Sequence, residues 1–532
     1  MRRKRVRWGS AGAVPSLKER EIGERVWQQG DRRHGVDARH SSSCPAYLGM
    51  KPYNAMKDSG VEWLGDVPEH WQVRQLGRMG RMFKGNGGTK ADETDEGIPC
   101  VRYGDLYTNH SFHITETRSC VDPRVAERAY TSIEYGDVLF AGSGETIEEI
   151  GKSAVNLMRG PACCGGDVIV FRPSIAMNAA FLGYATDCPP AALHKARMGR
   201  GFTVMHIYGT DLKRLNIAVP PVVEQTAIAR FLDHATSRID RYIRAKQKLI
   251  ELLEEQRQAT INEAVSGQID VETGRPYPSH RVSDIGWLQR VPSHWETRRS
   301  KRVFRPRLEL ARPNDVQLSA TQAWGVIAQT DFEERVGRKV VRISQHLDKR
   351  RHVEIDDFVI SMRSFQGGLE RAWTRGCIRS SYIVLRATTG ISCDFFGFLF
   401  KSSGYINALR STADFIRDGQ DLNFDNFCRV DLPFPPLDEQ WRIGRALNKR
   451  LRAFSSAIEK SRREMALLTE FRQRLVADVA TGKLDVRDVA ARLPNEPDDP
   501  GTFGSDHSLA KAGKDRRTPG GNGTYHREEA IQ

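Results

Sequence analysis

The most regular hydrophobic pattern in the chain lies between Glu224 and Asp270. Apolar residues recur there in alternating steps of four and three, at Ile228, Leu232, Ala235, Ile239, Tyr242, Leu249 and Leu253. The stretch contains no proline, and no glycine before Gly267. This spacing predicts one long helix with an apolar seam for a partner helix. About 40 residues at about 1.5 Å each would give a rod about 60 Å long.

The same pattern occurs a second time. Residues Glu439 to Asp485 align with the first stretch without a gap, at an offset of 215 positions (439 − 224). The matched pairs include Glu224-Gln225 with Glu439-Gln440, Gly267 with Gly482, and the preceding Pro220-Pro221 with Pro435-Pro436. Proline pairs predict an extended approach and a sharp helix start. The glycines predict left-handed C-terminal caps.

A second repeated motif opens each half of the chain. The pattern Trp-Leu-x-x-Val-Pro-x-His-Trp runs from Trp63 to Trp71 and again from Trp287 to Trp295, 224 positions later (287 − 63). Each half therefore begins with this motif and ends with a long helix. The histidines, His70 and His294, suggest a catalytic role. We favour the alternative, a clasp of aromatic residues and proline that packs the start of each half onto its core.

Short β-like runs bounded by turn-forming residues fill the space between motif and helix in each half. The sequence thus predicts an α+β fold in which two β-rich domains are joined by two long helices, related by a pseudo-two-fold internal repeat. The predicted segments are a disordered basic extension over 1–50, a β-rich domain over 57–220, a long helix over 221–270, a second β-rich domain over 281–435, a second helix over 436–486 and a disordered tail over 494–532. The frame is repeated while the loops differ in length, which is typical of two modules with different binding preferences.

Charge and composition limit the classes of partner and location that the chain can have. The formal net charge of +14 and the pI of about 9.4 favour a polyanionic partner, most often nucleic acid. No apolar run approaches the roughly 18–20 residues of a membrane helix. The nine cysteines form no Cys-x-x-Cys pair, so we expect reduced thiols, a cytoplasmic location and no zinc site. We find no phosphate-binding Walker loop, and we expect no cofactor or metal.

Recognition of DNA needs Lys and Arg for phosphates, and Arg, Gln, Asn or Ser for base edges. Segments that combine glycine, basic groups and an aromatic residue suit loops that enter a groove. The predicted DNA contacts are Lys84, Lys90, Arg102, Tyr103, Arg197 and Arg200 in the first domain, and Arg338, Lys339, Arg363 and Gln366 in the second. Among these, Arg363 and Gln366 are predicted to contact base edges. Each of these segments could alternatively be an ordinary solvated basic loop.

One segment, Phe140 to Gly144, resembles the Phe-x-Gly-x-Gly sequence that binds the methyl donor in DNA methyltransferases. Those enzymes also need an Asn/Asp-Pro-Pro-Tyr/Phe loop for the flipped base, and no such tetrapeptide occurs in this sequence. We therefore interpret the glycines as turn residues after a strand and predict no catalytic residue.

Together, these motifs resemble the specificity (S) subunits of type I restriction–modification systems. The corresponding segments are Gly60 to Trp71, Gly136 to Phe140, Pro220 to Ile228 and Pro435 to Ile443. The resemblance covers about residues 57 to 486 in order, with both copies of the frame. Three positions depart from the family pattern. The second opening motif has Gln289 where the first has Gly65, and the first proline motif has Val222-Val223 in place of a leucine. In the second half, Ile355-Asp-Asp replaces the Gly-Asp start.

The resemblance implies a non-catalytic DNA-binding subunit whose two target-recognition domains each bind one half of a bipartite double-stranded sequence. The long helices are expected to pair antiparallel, to set the spacing between half-sites and to dock methylation (M) subunits, after which a restriction (R) subunit joins. Two roles remain open for Glu224, Gln225, Glu439 and Gln440: contact with a methylation subunit, or stabilisation of a helix N-terminus. The alternative functions are the DNA-recognition part of a fused methyltransferase–nuclease system and a coiled-coil scaffold without a DNA role.

Overall fold

The chain was studied as a computed structural model, which describes residues 50–144, 146, 149–201, 205–340, 349–361, 364–388, 390–412 and 423–494. Residues 1–49 of the predicted basic extension, residues 495–532 of the predicted tail and Arg363 lie outside these residues. Contacts divide the described chain into two compact units. The first unit comprises residues 50–239 and 470–494, and the second comprises residues 240–469. The division falls inside both long helices, which the sequence analysis had assigned to segments of their own.

The first unit contains short strands and short helices before its long helix. Its strands are β1 (Met56–Asp58), β2 (Asp66–Pro68), β3 (Gln72–Gln75), β4 (Gly80–Lys84), β5 (Glu93–Thr94), β6 (Ile98–Val101), β7 (His113–Ile114), β8 (Ser119–Val121), β9 (Thr131–Ile133), β10 (Val138–Ala141), β11 (Ser143–Gly144), β12 (Ser153–Asn156), β13 (Ala162–Cys164), β14 (Val168–Pro173), β15 (Met205–His206) and β16 (Asn216–Val219). Its helices are α1 (Tyr103–Thr108), α2 (Pro123–Ala129), α3 (Ala179–Asp187), α4 (Pro189–Met198) and α5 (Gly209–Leu212), with 3-10 turns at Leu76–Arg78 and Lys90–Asp92.

Two five-stranded sheets organise the first unit, in the orders β4-β14-β10-β12-β7 and β5-β8-β6-β13-β9. Strand β10 lies at the centre of the first sheet, where Leu139 faces Ala154 on one neighbour and Val170 on the other. All four residues of β10 are buried. An unbroken apolar run fits a strand that is covered on both faces. The chain that follows β10 therefore begins at the end of a buried strand that is paired on both sides.

The second unit begins within the first long helix, α6 (Val222–Val265). Its strands are β17 (Ile269–Asp270), β18 (Arg275–Pro276), β19 (His280–Val282), β20 (Arg290–Pro292), β21 (Glu296–Arg299), β22 (Phe304–Pro306), β23 (Leu318–Thr321), β24 (Gly325–Ala328), β25 (Arg351–Val353), β26 (Phe358–Ile360), β27 (Glu370–Arg371), β28 (Gly376–Ile378), β29 (Ile383–Ala387) and β30 (Asp431–Phe434). Its helices are α7 (Ser300–Val303), α8 (Gln329–Val336), α9 (Ser364–Gly367), α10 (Cys393–Leu399), α11 (Ser403–Ser411) and α12 (Phe424–Cys428). The chain continues as the second long helix α13 (Leu437–Ala480) and the short helix α14 (Arg487–Ala491).

The central strand of the second unit is β26, in a sheet with the order β22-β29-β26-β27. A left-handed turn precedes the central strand in both units. In the first unit the turn residue is Gly136, with φ of 89°, and in the second it is Asp356, with φ of 71°. Aspartate tolerates this conformation better than most side chains do. Arg371 donates to the Asp356 carboxylate at 2.7 Å. The departure from the Gly-Asp motif therefore preserves the turn.

The predicted long helices are confirmed as helices. Each contains 44 residues, and their starts are 215 positions apart (437 − 222), as are their ends. A helix of this length measures about 66 Å. In the first unit, Ile228, Leu232 and Ile239 are buried, as the apolar seam predicts. In the second unit, Leu249 is 38% exposed, so the predicted seam is not covered along its whole length.

Both helices end at the predicted left-handed glycines. The φ angles are 70° at Gly267 and 77° at Gly482. Each glycine also contacts the opening motif of its unit. A Cβ atom at Gly267 would lie 2.3 Å from the Pro292 Cδ atom, and one at Gly482 would lie 2.4 Å from the Pro68 Cδ atom. Backbone conformation and close packing therefore both require glycine at these two positions.

Among the described residues, no helix has both the length and the apolar character needed to cross a bilayer.

Candidate nucleic-acid interface

In the first unit, the chain that leaves the central strand forms a small polar surface. Strand β11 follows β10 directly and pairs with β15, so that Ser143 faces His206. The Ser143 hydroxyl lies 3.0 Å from the His206 Nδ1 atom. The β15 segment follows Arg200, whose backbone also pairs with that of His206. The structure thus brings the turn around Gly142–Gly144 next to the segment around Arg200, which was predicted to contact DNA.

Aromatic residues of helix α1 line the same surface. The Tyr107 hydroxyl donates a hydrogen bond to the Ser143 carbonyl oxygen, and the Tyr103 ring packs edge-on against the Tyr107 ring. Tyr103 is 42% exposed, as a base or phosphate contact requires. Neither Tyr107 nor His206 was among the predicted contacts, because no local pattern marked them.

Two predicted lysines differ in their relation to this surface. Lys84 is well exposed, and its ammonium group lies 4.0 Å from the Asp167 carboxylate. The Asp167 carbonyl accepts the backbone N–H of Gly142, so Lys84 lies at the same end of the sheet. Lys90 is exposed on a separate 3-10 turn, where Asp92 accepts a hydrogen bond from Tyr130.

Arg102 has a structural position that the sequence did not anticipate. Its side chain is 21% exposed, and its guanidinium group pairs with the Glu93 carboxylate at 3.1 Å. An arginine that is mostly buried and already paired has little capacity left for a phosphate. The contact that the structure shows for Arg102 is the one with Glu93 of strand β5, and a contact of Arg102 with DNA stays a prediction.

Exposed arginines extend the surface beyond His206. Arg197 and Arg200 are both exposed, and with Arg214 they line a cleft of about 320 Å³. Asp211 in the same cleft lies 3.4 Å from the Arg200 guanidinium group, which leaves a net positive charge. Such a cleft suits a phosphate group of a nucleic-acid backbone.

In the second unit, the chain that leaves the central strand meets a hairpin. Helix α9 follows β26, and Gln366 on this helix is exposed. The next residue, Gly367, packs so closely that a Cβ atom there would lie 2.7 Å from the Gln322 amide nitrogen. Gln322 belongs to the turn between β23 and β24. Two glutamine side chains, which suit adenine edges, therefore lie on neighbouring segments, and Gln322 was missed by the sequence analysis.

Basic residues follow helix α8 in the second unit. Gly337 ends this helix with φ of 67°, and Arg338 and Lys339 come directly after it, both exposed. The exposed Trp324 lies in the same hairpin turn as Gln322, and the Arg335 guanidinium group lies 5.3 Å from the centre of its ring. These contacts place Arg335, on the helix just before the predicted Arg338 and Lys339, beside the turn that carries Gln322.

The glutamate at the start of each long helix is buried and holds the opening motif. In the first unit, Glu224 accepts hydrogen bonds from the Tyr53 hydroxyl at 2.5 Å and the Trp71 indole at 3.0 Å, and it contacts His70 at 2.9 Å. The predicted clasp is confirmed, with a glutamate at its centre. Burial and the hydrogen bond to Glu224 raise the pKa of Tyr53, so the tyrosine acts as a donor.

The second unit repeats this clasp with one difference. Glu439 accepts a hydrogen bond from the Tyr277 hydroxyl at 2.6 Å and contacts the His294 Nε2 atom at 2.7 Å. Trp295 is buried like Trp71, but its indole nitrogen has no hydrogen-bond partner among the described residues.

The glutamines beside these glutamates join three segments. The Gln225 amide donates to the Pro220 carbonyl at 2.8 Å and accepts from the Asn178 backbone at 2.9 Å. Gln440 does the same with Pro435 and Ser392, at 2.9 Å for each bond. All four Glu and Gln side chains are buried. The geometry therefore favours the structural role over direct contact between these side chains and a partner.

The Phe140–Gly144 segment is explained by packing. Phe140 is fully buried in the central strand, and a Cβ atom at Gly142 would lie 2.9 Å from the Asp167 carbonyl oxygen. Gly142 is required by this close approach, in agreement with the interpretation as a turn after a strand. Within the described part of the chain, no three His, Cys, Asp or Glu residues are grouped as metal ligands.

Comparison with known proteins gives one family match and one match of fold. Residues 68–254 match the family of the type I restriction modification DNA specificity domain. A solved chain from a structure of a type I R-M system has a TM-score of 0.55 with 17% identity, covering 78% of this chain and 98% of that one. At this identity, the structural match supports the mixed helix-and-sheet fold alone.

Two relatives match most of the chain. The MjaX specificity subunit of a type I restriction enzyme from Methanocaldococcus jannaschii is 22% identical over 80% of this chain and 96% of its own length. The EcoKI specificity subunit from Escherichia coli K12 is 20% identical over 79% of this chain and 90% of its own length. These matches agree with the resemblance found in the sequence: residues 68–254 match the type I restriction modification DNA specificity domain. Over most of its length it is similar to their specificity subunits.

Proposed function

We propose that the chain recognises a bipartite double-stranded DNA sequence and that each unit contacts one half-site. The observation that carries this proposal is the equivalent surface in both units. In each, the chain beyond the central strand lies beside neighbouring segments that carry exposed polar, aromatic and basic side chains. The first unit offers Ser143 and His206 with Lys84 nearby, whereas the second offers Gln322 and Gln366. Different side chains on the same frame suit two different half-sites.

We further propose that the two long helices pair antiparallel and set the spacing between the half-sites. Two ion pairs within the second unit support this arrangement. Lys246 lies 2.6 Å from Glu464, and Glu254, further along the first helix, lies 2.9 Å from Arg462, which comes earlier in the second. A stiff helical pair converts residue number into distance.

The same helices are the proposed docking surface for methylation subunits, with a restriction subunit joining the assembly. Because Glu224 and Gln225 are buried, contact with a partner would use their exposed neighbours on the first turn. Val223, which is 85% exposed, is such a neighbour. An apolar side chain this exposed is typical of a surface that another protein covers.

The chain is proposed to be non-catalytic, without a bound cofactor, and to act in the cytoplasm, where its DNA target lies. Each glycine and histidine that suggested chemistry has a packing role in the structure, as at Gly142 and His70. Methyl transfer to DNA by the purified chain alone would contradict this proposal.

Co-expression with the cognate methylation subunit, followed by mapping of methylated adenines by single-molecule sequencing, tests the proposed function. The expected result is a bipartite motif with a fixed gap. The Gln366→Ala variant should relax one half-site and leave the other half-site and the gap unchanged. A contiguous motif, or no motif from a stable complex, would contradict recognition by two units.

A further inference from the structure

Two exposed tryptophans share one surface of the second unit. Trp324 is 37% exposed and Trp373 is 54% exposed, although Trp295 in the same unit is buried. The Trp373 backbone N–H donates to the Val326 carbonyl at 3.0 Å. A Cβ atom at Gly325, next to Trp324, would lie 2.8 Å from the Trp373 indole nitrogen. Both indoles therefore lie at the hairpin between β23 and β24.

Arginine side chains hold both rings in place. The guanidinium carbon of Arg371 lies 4.4 Å from the centre of the Trp373 ring, and that of Arg335 lies 5.3 Å from the Trp324 ring. Arg371 is fixed in turn by ion pairs with Asp356 and Asp394. The Trp373 ring is thus preorganised, which reduces the entropy lost when a ligand binds.

The folded unit gains little from leaving these rings in water. A tryptophan can bury 150–250 Å² of mainly apolar surface, roughly, and exposing it gives up that stabilisation. Preorganised aromatic surface beside positive charge is therefore better explained by a ligand with a flat π-face and a negative charge. The neighbouring Gln322 amide adds hydrogen-bonding capacity at the same turn, and Arg338 and Lys339 follow helix α8.

A nucleotide has both of these chemical features. In a stacked duplex only base edges are accessible from the grooves, whereas an unstacked base exposes its π-face to aromatic side chains. We propose that Trp324 and Trp373 form a stacking platform for a DNA base displaced from the helix beside the half-site of the second unit. This inference rests on the proposed function. It adds that the DNA bound by the second unit has one base displaced from the double helix.

The first unit has no matching pair of exposed tryptophans among its described residues. Its equivalent surface presents Ser143 and His206, and its exposed rings there are the phenols of Tyr103 and Tyr208. Base displacement is therefore assigned to one half-site rather than to both.

The test compares two single-stranded oligonucleotides of equal length, one of thymidines and one of abasic residues. They carry the same phosphates, so any difference in affinity comes from the bases. The wild-type full-length chain should bind the thymidine strand about tenfold more tightly or better, as stacking predicts. The double variant Trp324→Ala/Trp373→Ala should lose this preference and keep its affinity for the abasic strand.

Two further variants control for unrelated effects. Trp441→Ala removes a tryptophan of similar exposure, 46%, on a long helix and should retain the full preference. Trp373→Phe keeps an aromatic face and should retain most of it, provided that circular dichroism shows a folded chain. The single variant Trp324→Ala removes a residue of the hairpin turn and should reduce the preference even if the double variant fails to fold.

Two results would overturn the platform. One is equal binding of both oligonucleotides by the wild type, and the other is an equal loss of affinity for both in the alanine variants. Binding to intact duplex DNA is measured in parallel, so that failure of the platform can be distinguished from failure of the proposed function. Duplex binding without a base preference rejects the platform alone, whereas no duplex binding at all rejects the proposed function.

Discussion

At the scale of single residues, the buried glutamates explain why the same Glu-Gln pair begins both long helices. Glu224 and Glu439 each accept hydrogen bonds from residues more than 140 positions earlier in the chain. Their acceptor oxygens satisfy donors that would otherwise be buried without partners. The pair therefore contributes to the folding of each unit, and the proposed docking surface would use exposed neighbours of these side chains.

Replacing Glu224 with alanine should destabilise the first unit by about 2–4 kcal/mol, because the Tyr53 and Trp71 donors would lose their acceptor in the interior. Urea unfolding followed by tryptophan fluorescence measures this change. The matched control is Glu254→Ala, which removes an exposed ion pair with Arg462 and should cost at most about 1 kcal/mol. Similar losses in both variants would contradict the clasp.

The first unit should lose stability in mild acid. Burial lowers the pKa of His110 below its ordinary value of 6.5, and burial together with Arg197 lowers that of His194. Between the ordinary and the lowered pKa, the unfolded chain binds protons that the folded chain does not. The free energy of unfolding is therefore fully present above pH 6.5 and falls as the pH drops through this window.

Unfolding midpoints measured above and below pH 6.5 check this prediction. The His110→Gln/His194→Gln double variant should show a flatter pH dependence than the wild type, because neither side chain can then bind a proton. An unchanged pH dependence in this variant would assign the acid sensitivity to other groups.

At the scale of elements, the central strands and the long helices have separate roles. The central strands β10 and β26 fix the position of the residues that follow them, because they are buried and paired on both sides. The first long helix has few buried residues near its midpoint, where Leu249 and Leu252 are partly exposed. This stretch therefore tolerates a change of length better than the core of either unit does.

Inserting one or two helical turns near Arg257, and an equal number near the facing part of the second helix, should lengthen the gap between half-sites. The half-site sequences should not change, because the residues at the strand ends are untouched. Adenine-methylation mapping of the co-expressed complex measures both quantities. As a control, the same insertion at Gly160, where a Cβ atom would contact nothing within 4 Å, should leave the gap unchanged. An altered half-site would contradict the role of the helices as a spacer.

At the scale of the whole molecule, the net charge of +14 predicts strongly salt-dependent DNA binding. Each phosphate contact contributes a slope of about −0.9 to the dependence of log affinity on log salt. The exposed Lys84 lies at the proposed interface, so Lys84→Gln should reduce the slope by about one. Lys248→Gln on the long helix, whose lysine pairs with Glu251, should leave it unchanged. A wild-type affinity that is flat between low and moderate salt would favour the scaffold function instead.

The sequence by itself determined the repeated frame, the two long helices and their glycine caps. These features depend on local rules: a hydrophobic period, a proline start and a left-handed end at Gly267 and Gly482. It also indicated the clasp, because the opening motif recurs at a constant offset. The family resemblance rested on the order of the same motifs.

Only the tertiary structure decided which side chains meet at the candidate interface. Ser143 and His206 are 63 positions apart and become neighbours through a strand pairing that neither segment encodes alone. Gln322 reaches helix α9 in the same way, through close packing at Gly367. Arginine is a residue type that suits a DNA contact, but the Arg102 side chain is mostly buried and pairs with Glu93. Burial and strand register depend on the whole chain, whereas local sequence patterns report only on nearest neighbours.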